Sequence, residues 1–256
     1  MKYSVFYRTY RGDFQWLKYS LATLKKHLKD YSEIVIVMPP GDYGLLKEQM
    51  GQWDLPKGIV TYRDNTFEGD DYLGQQACKL RAYEYASFPL ILFVDSDMMF
   101  KADTNLDQFM KDGKPCILKT SYADLAGTPE QGTDKLGAAC VWKPITEKAA
   151  GFPVEFEYMR RLPLLYYRST IKALTWYFIE QHGENVESYL HKLTDRSFSE
   201  FNLLGAYTEW KKSEASKYYF LDTSKEELPI LNSRQYWSWG GLTPEIETEI
   251  KKILKD

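Results

Sequence analysis

Cysteine, histidine and long apolar runs are all scarce in this chain. Its three cysteines, Cys78, Cys116 and Cys140, are odd in number and lack metal-type spacing. They argue against a disulfide scaffold and against a zinc site, and read as small buried hydrophobes in a reducing compartment. No stretch approaches the about 20 consecutive apolar residues that a membrane helix needs. Arg8 and Arg11 interrupt the segment where a secretory signal would place its apolar region. A cytoplasmic protein is the simplest expectation. Basic excess is absent too: a net charge of −3 argues against a protein that coats nucleic acid through a general positive field. The chain shows no internal repeat and no low-complexity segment.

What is present is ordinary in amount. With 256 residues, 44% hydrophobic and 27% charged, the chain suffices for one large α/β domain with a substantial core. We take 1–256 as a single domain. Aromatic residues, at 16% with 20 Tyr and 7 Trp, are plentiful, which suits stacking on sugars or bases and equally suits a core filled by large side chains.

The most informative stretch is Leu90-Ile91-Leu92-Phe93-Val94-Asp95-Ser96-Asp97. Five apolar residues in a row read as a strand buried on both faces, and the run ends in two acids separated by one small residue. Ligands of open α/β sheets collect outside the carboxyl ends of the strands, so Asp95 and Asp97 point to a site. Residues i and i+2 of an extended chain share a face, and two carboxylates so placed suit a hard cation, Mg²⁺ or Mn²⁺. The same pattern also arises where Asp merely forms a turn.

Around this stretch the pattern alternates. A strand is expected at Lys2–Tyr7, then a helix with Phe14, Leu17, Leu21, Leu24 and Leu28 on one stripe and Asp13 as its cap. A strand follows at Glu33–Met38, a helix at Tyr43–Met50, a strand at Ile59–Tyr62 and a helix at Tyr72–Ser87, which places the acids on the fourth strand. Beyond them we expect a helix at Asn105–Lys111, a strand at Pro115–Lys119, a long loop at Ser121–Gly137 of the kind that forms lids, and a strand at Ala138–Trp142. Helices should then run from Pro144 to Gly151, from Ser169 to His182, from Glu184 to Leu193 and from Ser197 or Ser199 to Lys212. A strand at Lys217–Leu221 and a helix opened by Thr243-Pro244 complete the chain.

Three blocks, Gln75-Gln76-Ala77-Cys78-Lys79-Leu80, the Asp95-Ser96-Asp97 strand, and Phe198-Ser199-Glu200-Phe201-Asn202-Leu203-Leu204-Gly205, resemble in this order a largely uncharacterised bacterial and phage family of GT-A-fold glycosyltransferases. The resemblance covers roughly residues 70 to 210. It implies a GT-A, Rossmann-like α/β fold: a mixed, mainly parallel sheet flanked by helices, with a helical C-terminal part. Residues 1–120 would bind the nucleotide sugar, and residues 121–256 the acceptor and a closing tail. The implied activity is metal-dependent transfer of a sugar from a nucleotide-diphosphate donor, with a uridine diphosphate sugar expected, to an acceptor hydroxyl.

The resemblance also proposes roles. Asp95 and Asp97 would hold Mn²⁺ or Mg²⁺, with Asp95 on metal or ribose and Ser96 beside the donor. Gln75, Lys79 and Arg81 would face the donor's sugar or diphosphate, although a solvated helix face reads equally well. Glu200 would address the acceptor hydroxyl as base or orienting group, helped by Asn202. Alternatively, Ser197 and Glu200 form a Ser-x-x-Glu capping box and only start a helix. Tyr7, Arg8 and Thr9 close the first strand where a GT-A fold holds base and ribose. Trp237 and Trp239, in the run Ser233–Gly241, would fold over the donor or pack on the sheet.

Many GT-A enzymes complete the metal shell with a C-terminal His, but His27, His182 and His191 all precede Glu200. A third ligand would have to come from Asp222, Asn232 or a similar oxygen or amide, or from water. The acceptor is a glycan or small metabolite by default, and the basic-aromatic segment containing Arg160 and Arg161 leaves a modified DNA base open. Two other classes fit less. A haloacid-dehalogenase-like phosphatase would use Asp95 as nucleophile, but that pattern wants Thr or Val where this chain has Met99. A non-catalytic sugar-binding module is the other.

Overall fold

A computed structural model describes residues 1–64, 71–126, 140–159, 163–193, 196–227 and 232–255. The first half follows the expected alternation closely: β1 (Tyr3–Arg8), α1 (Phe14–His27), β2 (Glu33–Met38), α2 (Tyr43–Met50), β3 (Ile59–Arg63), α3 (Asp71–Leu80), α4 (Ala82–Tyr85) and β4 (Leu90–Phe93). The chain continues through β5 (Met98–Phe100), β6 (Met110–Lys111), β7 (Lys114–Ser121), α5 (Tyr122–Ala126), α6 (Lys143–Ala150), β8 (Phe156–Glu157) and β9 (Leu164–Tyr167). It ends with α7 (Arg168–His182), α8 (Val186–Leu190), α9 (Glu200–Trp210), α10 (Lys212–Ala215), β10 (Tyr219–Asp222), β11 (Ser233–Gln235) and α11 (Pro244–Lys255).

The main sheet has the order β3-β2-β1-β4-β9; the first four strands are parallel and β9 is an antiparallel edge. This is a mainly parallel α/β sheet flanked by helices, with helices abundant toward the C-terminus, the fold class expected from the sequence. Alternation sends Tyr3, Val5 and Tyr7 of β1 to one face with α1 and α2, and Phe6 to the other with α3, α4, α7 and α9. The Leu90–Val94 run is apolar throughout because both faces of β4 are covered. A second sheet, β10-β7-β6, carries β8 on β7, and a two-stranded ladder pairs β11 with β5.

Several expectations are corrected. The helix expected at Tyr72–Ser87 breaks at Arg81 into α3 and α4. Asn105–Lys111 is one 3₁₀ turn, Leu106–Phe109, followed by β6 rather than a helix. Ser121–Gly137 begins with α5 instead of irregular chain, and residues 127–139 lie outside the described residues. Cys140–Trp142 is a helical turn leading into α6, not a strand. Asp13 stands at the start of α1 without a side-chain capping bond, whereas Thr243 Oγ1 does accept from Ile246 N (3.3 Å) at the start of α11. Only Cys78 of the three free cysteines is buried. Among the described residues no helix is long and apolar enough to cross a membrane.

Helix α9 explains much of the third sequence block by packing. Phe201 meets Phe93 of β4 edge-on, with centroids 5.2 Å apart. Asn202 Oδ1 accepts from Tyr158 N (2.7 Å), and Gly205 lies against the Tyr158 ring so closely that an added Cβ would sit 2.3 Å from Tyr158 Cγ. Asn202 and Gly205 therefore seat Tyr158, and Asn202 is fully buried in doing so. Replacing Gly205→Ala should cost about 1–3 kcal/mol or more, read as a lowered urea midpoint at unchanged slope.

Candidate active site

The C-terminal ends of β1 and β4 lie side by side, and the turn after β4 is fixed by Met98 N donating to Asp95 O (3.1 Å). Ser96 is buried there, its Oγ donating to Thr9 Oγ1 (3.0 Å), so Ser96 and Thr9 tie the two strand ends together and leave the flanking acids to the crevice. Arg8 is also buried, with Nη1 donating to Thr9 O (2.5 Å).

Lys79 projects from α3 between two carboxylates. Its Nζ lies 2.9 Å from Asp95 Oδ1 and 3.0 Å from Glu200 Oε1, and 5.1 Å from the Phe201 ring centre. Burial alone would lower the ammonium's proton affinity, yet the two acids raise it above its ordinary value, so Lys79 stays charged. Glu200 opens α9, where the helix dipole favours an anion. Its backbone N–H donates to Gln76 Oε1 (3.1 Å). The N-cap is Ser199, whose Oγ accepts from Asn202 N (3.3 Å); the capping box from Ser197 does not form, and the Glu200 carboxylate is spent on Lys79 instead.

Asp97 is held from the other side by the C-terminal tail. Gln235 Nε2 donates to Asp97 Oδ1 (2.9 Å) and lies 3.3 Å from Asp95 Oδ2; Ser238 N donates to Asp97 Oδ2 (2.6 Å), and Tyr236 N to Asp97 O (3.0 Å). Burial, and then the neighbouring charge of Asp95, push the Asp97 carboxyl up to about 7, partly offset by the Ser238 N–H; Asp13 adds a smaller push. Negative charge thus outweighs what Lys79 supplies.

That excess, together with an all-oxygen carboxylate pair, fits a hard divalent cation such as Mg²⁺ or Mn²⁺. Asp95 and Asp97 would hold it. Among the described residues no three His, Cys, Asp or Glu side chains form a metal-binding group. Asp222 binds Ser224 and Lys225, and Asn232 donates to Asp103 O (3.0 Å), so neither reaches the acids.

The remaining expected residues divide. Tyr7 is fully buried against α1, its hydroxyl on Ser20 Oγ (2.9 Å), and offers no face for a base to stack on; the β-strand alternation turns it away from the crevice. Arg81 turns from the acids to Asp64 (3.7 Å), Glu187 (2.9 Å) and Glu84. Gln75 is half-buried one turn before Lys79. Trp237 is 38% exposed and Trp239 78% exposed, beside Asp97 on the tail. Arg160 and Arg161 lie outside the described residues. Sequence reasoning assigns no individual role to Gln76, Gln235 or the Ser238 amide; Gln235 stands in the run expected to form a tail, and its side chain is an amide like the Asn232 considered there.

Comparison with known proteins adds little chemistry. No family model matches the chain, and no curated protein does. Among solved structures, a 4-diphosphocytidyl-2C-methyl-D-erythritol synthase from Anaerococcus prevotii DSM 20548 aligns with a TM-score of 0.46 at 14% identity, over 99% of this chain and 96% of that one. At that score the likeness carries no argument about the site.

Two outcomes follow from the electrostatics. Asp97 binds its proton near pH 7 when folded but near 3.8 when unfolded, so between these values the folded state holds a proton that the unfolded chain has lost. Its contribution to stability is full below that window and fades as pH rises through it, at up to about 1.4 kcal/mol per pH unit. Urea midpoints of the metal-free protein should show this decline between pH 4 and 7, and Asp97→Asn should flatten it. Lys79→Met, which leaves the buried Glu200 and the half-buried Asp95 uncompensated, should cost about 3–5 kcal/mol. Adding Glu200→Gln to Lys79→Met should give a total loss smaller than the sum of the two single losses.

Proposed function

We propose that this chain is a metal-dependent glycosyltransferase that moves a sugar from a nucleotide-diphosphate donor to an acceptor hydroxyl. The observation that carries the reading is the joining of three acids in one crevice: Asp95 and Asp97 after the central strand β4, and Glu200 at the head of α9, linked to Asp95 through Lys79. In this reading Asp95 and Asp97 hold Mn²⁺ or Mg²⁺, which supplies charge neutralisation for the departing nucleotide diphosphate. Arg8 and Gln75 border the donor, and the exposed rings of Trp237 and Trp239 suit a tail that stacks on it. Residues 1–120 serve the donor and the remainder the acceptor, with a uridine diphosphate sugar as the expected donor and a glycan or metabolite as acceptor.

Glu200 orients the acceptor hydroxyl or takes its proton. Lys79 is a positioning residue in this scheme: with Asp95 and Glu200 both within 3.0 Å of its Nζ, it fixes the acceptor-side acid relative to the metal-side acid, and is not spent on the diphosphate.

Nucleotide-diphosphate release from a panel of nucleotide sugars, with Mn²⁺, with Mg²⁺ and with chelator, tests the class. One nucleotide should be released only when metal is present. Asp97→Asn should abolish that release with the fold intact, and Glu200→Gln should slow acceptor-dependent turnover by about 10²–10⁴-fold while donor binding persists. Wild-type turnover by Asp97→Asn would remove the reading, and release of inorganic phosphate without nucleotide transfer would turn it toward a phosphatase.

A further inference from the structure

We propose that Gln235 is the third protein ligand of the cation at Asp95 and Asp97, brought into use by turning its amide over. The inference rests on the metal-dependent reading above and assigns a residue that reading leaves open.

Position comes first. The Gln235 amide touches both acids, at 2.9 Å from Asp97 Oδ1 and 3.3 Å from Asp95 Oδ2. A positively polarised N–H₂ group is what two carboxylates draw into their shared space. An amide carries an oxygen at the other end of the same planar group, and its terminal torsion is broad and roughly two-fold. Rotation about that torsion exchanges donor for acceptor without moving the backbone. Amide oxygen is a suitable donor for Mg²⁺ and Mn²⁺. It also adds a ligand without adding a further negative charge to a crowded pair.

The backbone around Gln235 is fixed at this place. Strand β11 pairs antiparallel with β5, setting Gln235 opposite Met98, the residue that follows Asp97. Lys101 N donates to Asn232 O (2.7 Å) at one end of this ladder, and Tyr236 N to Asp97 O (3.0 Å) at the other. Trp237 then adopts a left-handed conformation, φ +59° and ψ 84°, unusual for a bulky residue. Such strain persists only where surrounding contacts over-determine it, and it clusters at functional sites. Here the turn lets Ser238 N reach Asp97 Oδ2 (2.6 Å) while Gln235 reaches Oδ1 from the preceding strand. Ser238 thus orients the acid from behind, as outer-shell groups do for metal ligands. Among the described residues no histidine joins a metal-binding group with the acids: His27 is on Asp103 and His182 on Ala149 O.

Calorimetric titration of the full chain with MnCl₂ alone, without nucleotide, tests the assignment by a readout other than turnover. Gln235→Met keeps length and removes the amide; it should raise the Kd for Mn²⁺ by more than the about 10–100-fold that losing an outer-shell partner costs. Gln235→Glu should bind Mn²⁺ at least as tightly as the wild type. A Met variant that binds as tightly as the wild type, or tighter, would show that the amide only fills the space. If the Met variant does not fold, weaker binding by Gln235→Glu overturns the proposal in its place. Loss of binding in Asp97→Asn with retention in Gln235→Met would leave the metal reading standing and remove Gln235 from it. Absence of Mn²⁺ binding by the wild type would remove both.

Discussion

One buried ammonium holds this molecule's distant segments in register. Lys79 leaves α3 for a place where water cannot compensate it, and only Asp95 and Glu200 at hydrogen-bonding distance make that burial tolerable. Because one acid ends the central strand and the other begins α9, the ion triad works as a geometric constraint more than as a source of stability. Gln76 on α3 receives the first amide of α9, and the Phe93–Phe201 contact sets that helix against the sheet. Rotation of α9 about its own axis would break all of these at once.

Local chemistry explains which parts of this arrangement could be read from the chain. Strands β1, β2 and β4 and helices α1 and α2 declare themselves because each is buried through an apolar pattern internal to the segment. Strand β5 does not: three residues long, it exists only through pairing with residues more than 130 positions later. The burial of Tyr7 against α1 is hidden for a related reason, since alternation says that Phe6 and Tyr7 face opposite ways but not which helices cover which face. The Asp-Ser-Asp turn was legible, as was the tail's location. The engagement of Glu200 with Lys79, rather than with a cap, was not, because the Ser-x-x-Glu pattern is local whereas the ion pair joins α9 to the distant α3.

The aromatic surplus resolves mainly in favour of packing. Phe6, Phe93, Phe201 and Tyr166 form a chain of ring contacts through the core on the α9 side of the sheet, and Tyr158 fills the notch that Gly205 leaves. Large rigid side chains bury much area at modest entropic cost, which suits a sheet whose two faces both carry helices. Exposed rings gather in part on the tail, so the same composition serves the core and the rim of the crevice.

The order in which the acid cluster is assembled bears on how the chain is made. Strand β9 closes the main sheet once Tyr167 has left the ribosome, yet Glu200 and Gln235 are still to come. At about 5–20 residues per second, the stretch from Tyr167 to Gln235 takes roughly 3 to 14 seconds. Until Glu200 and Phe201 emerge, half-way through that interval, Lys79 lacks its second carboxylate and Phe93 waits without Phe201 to cover it. A nascent chain of this protein is therefore open to chaperones, and to mispairing of the β4 face, when the strand order of its main sheet is already complete but β10 and β11 are still to be made.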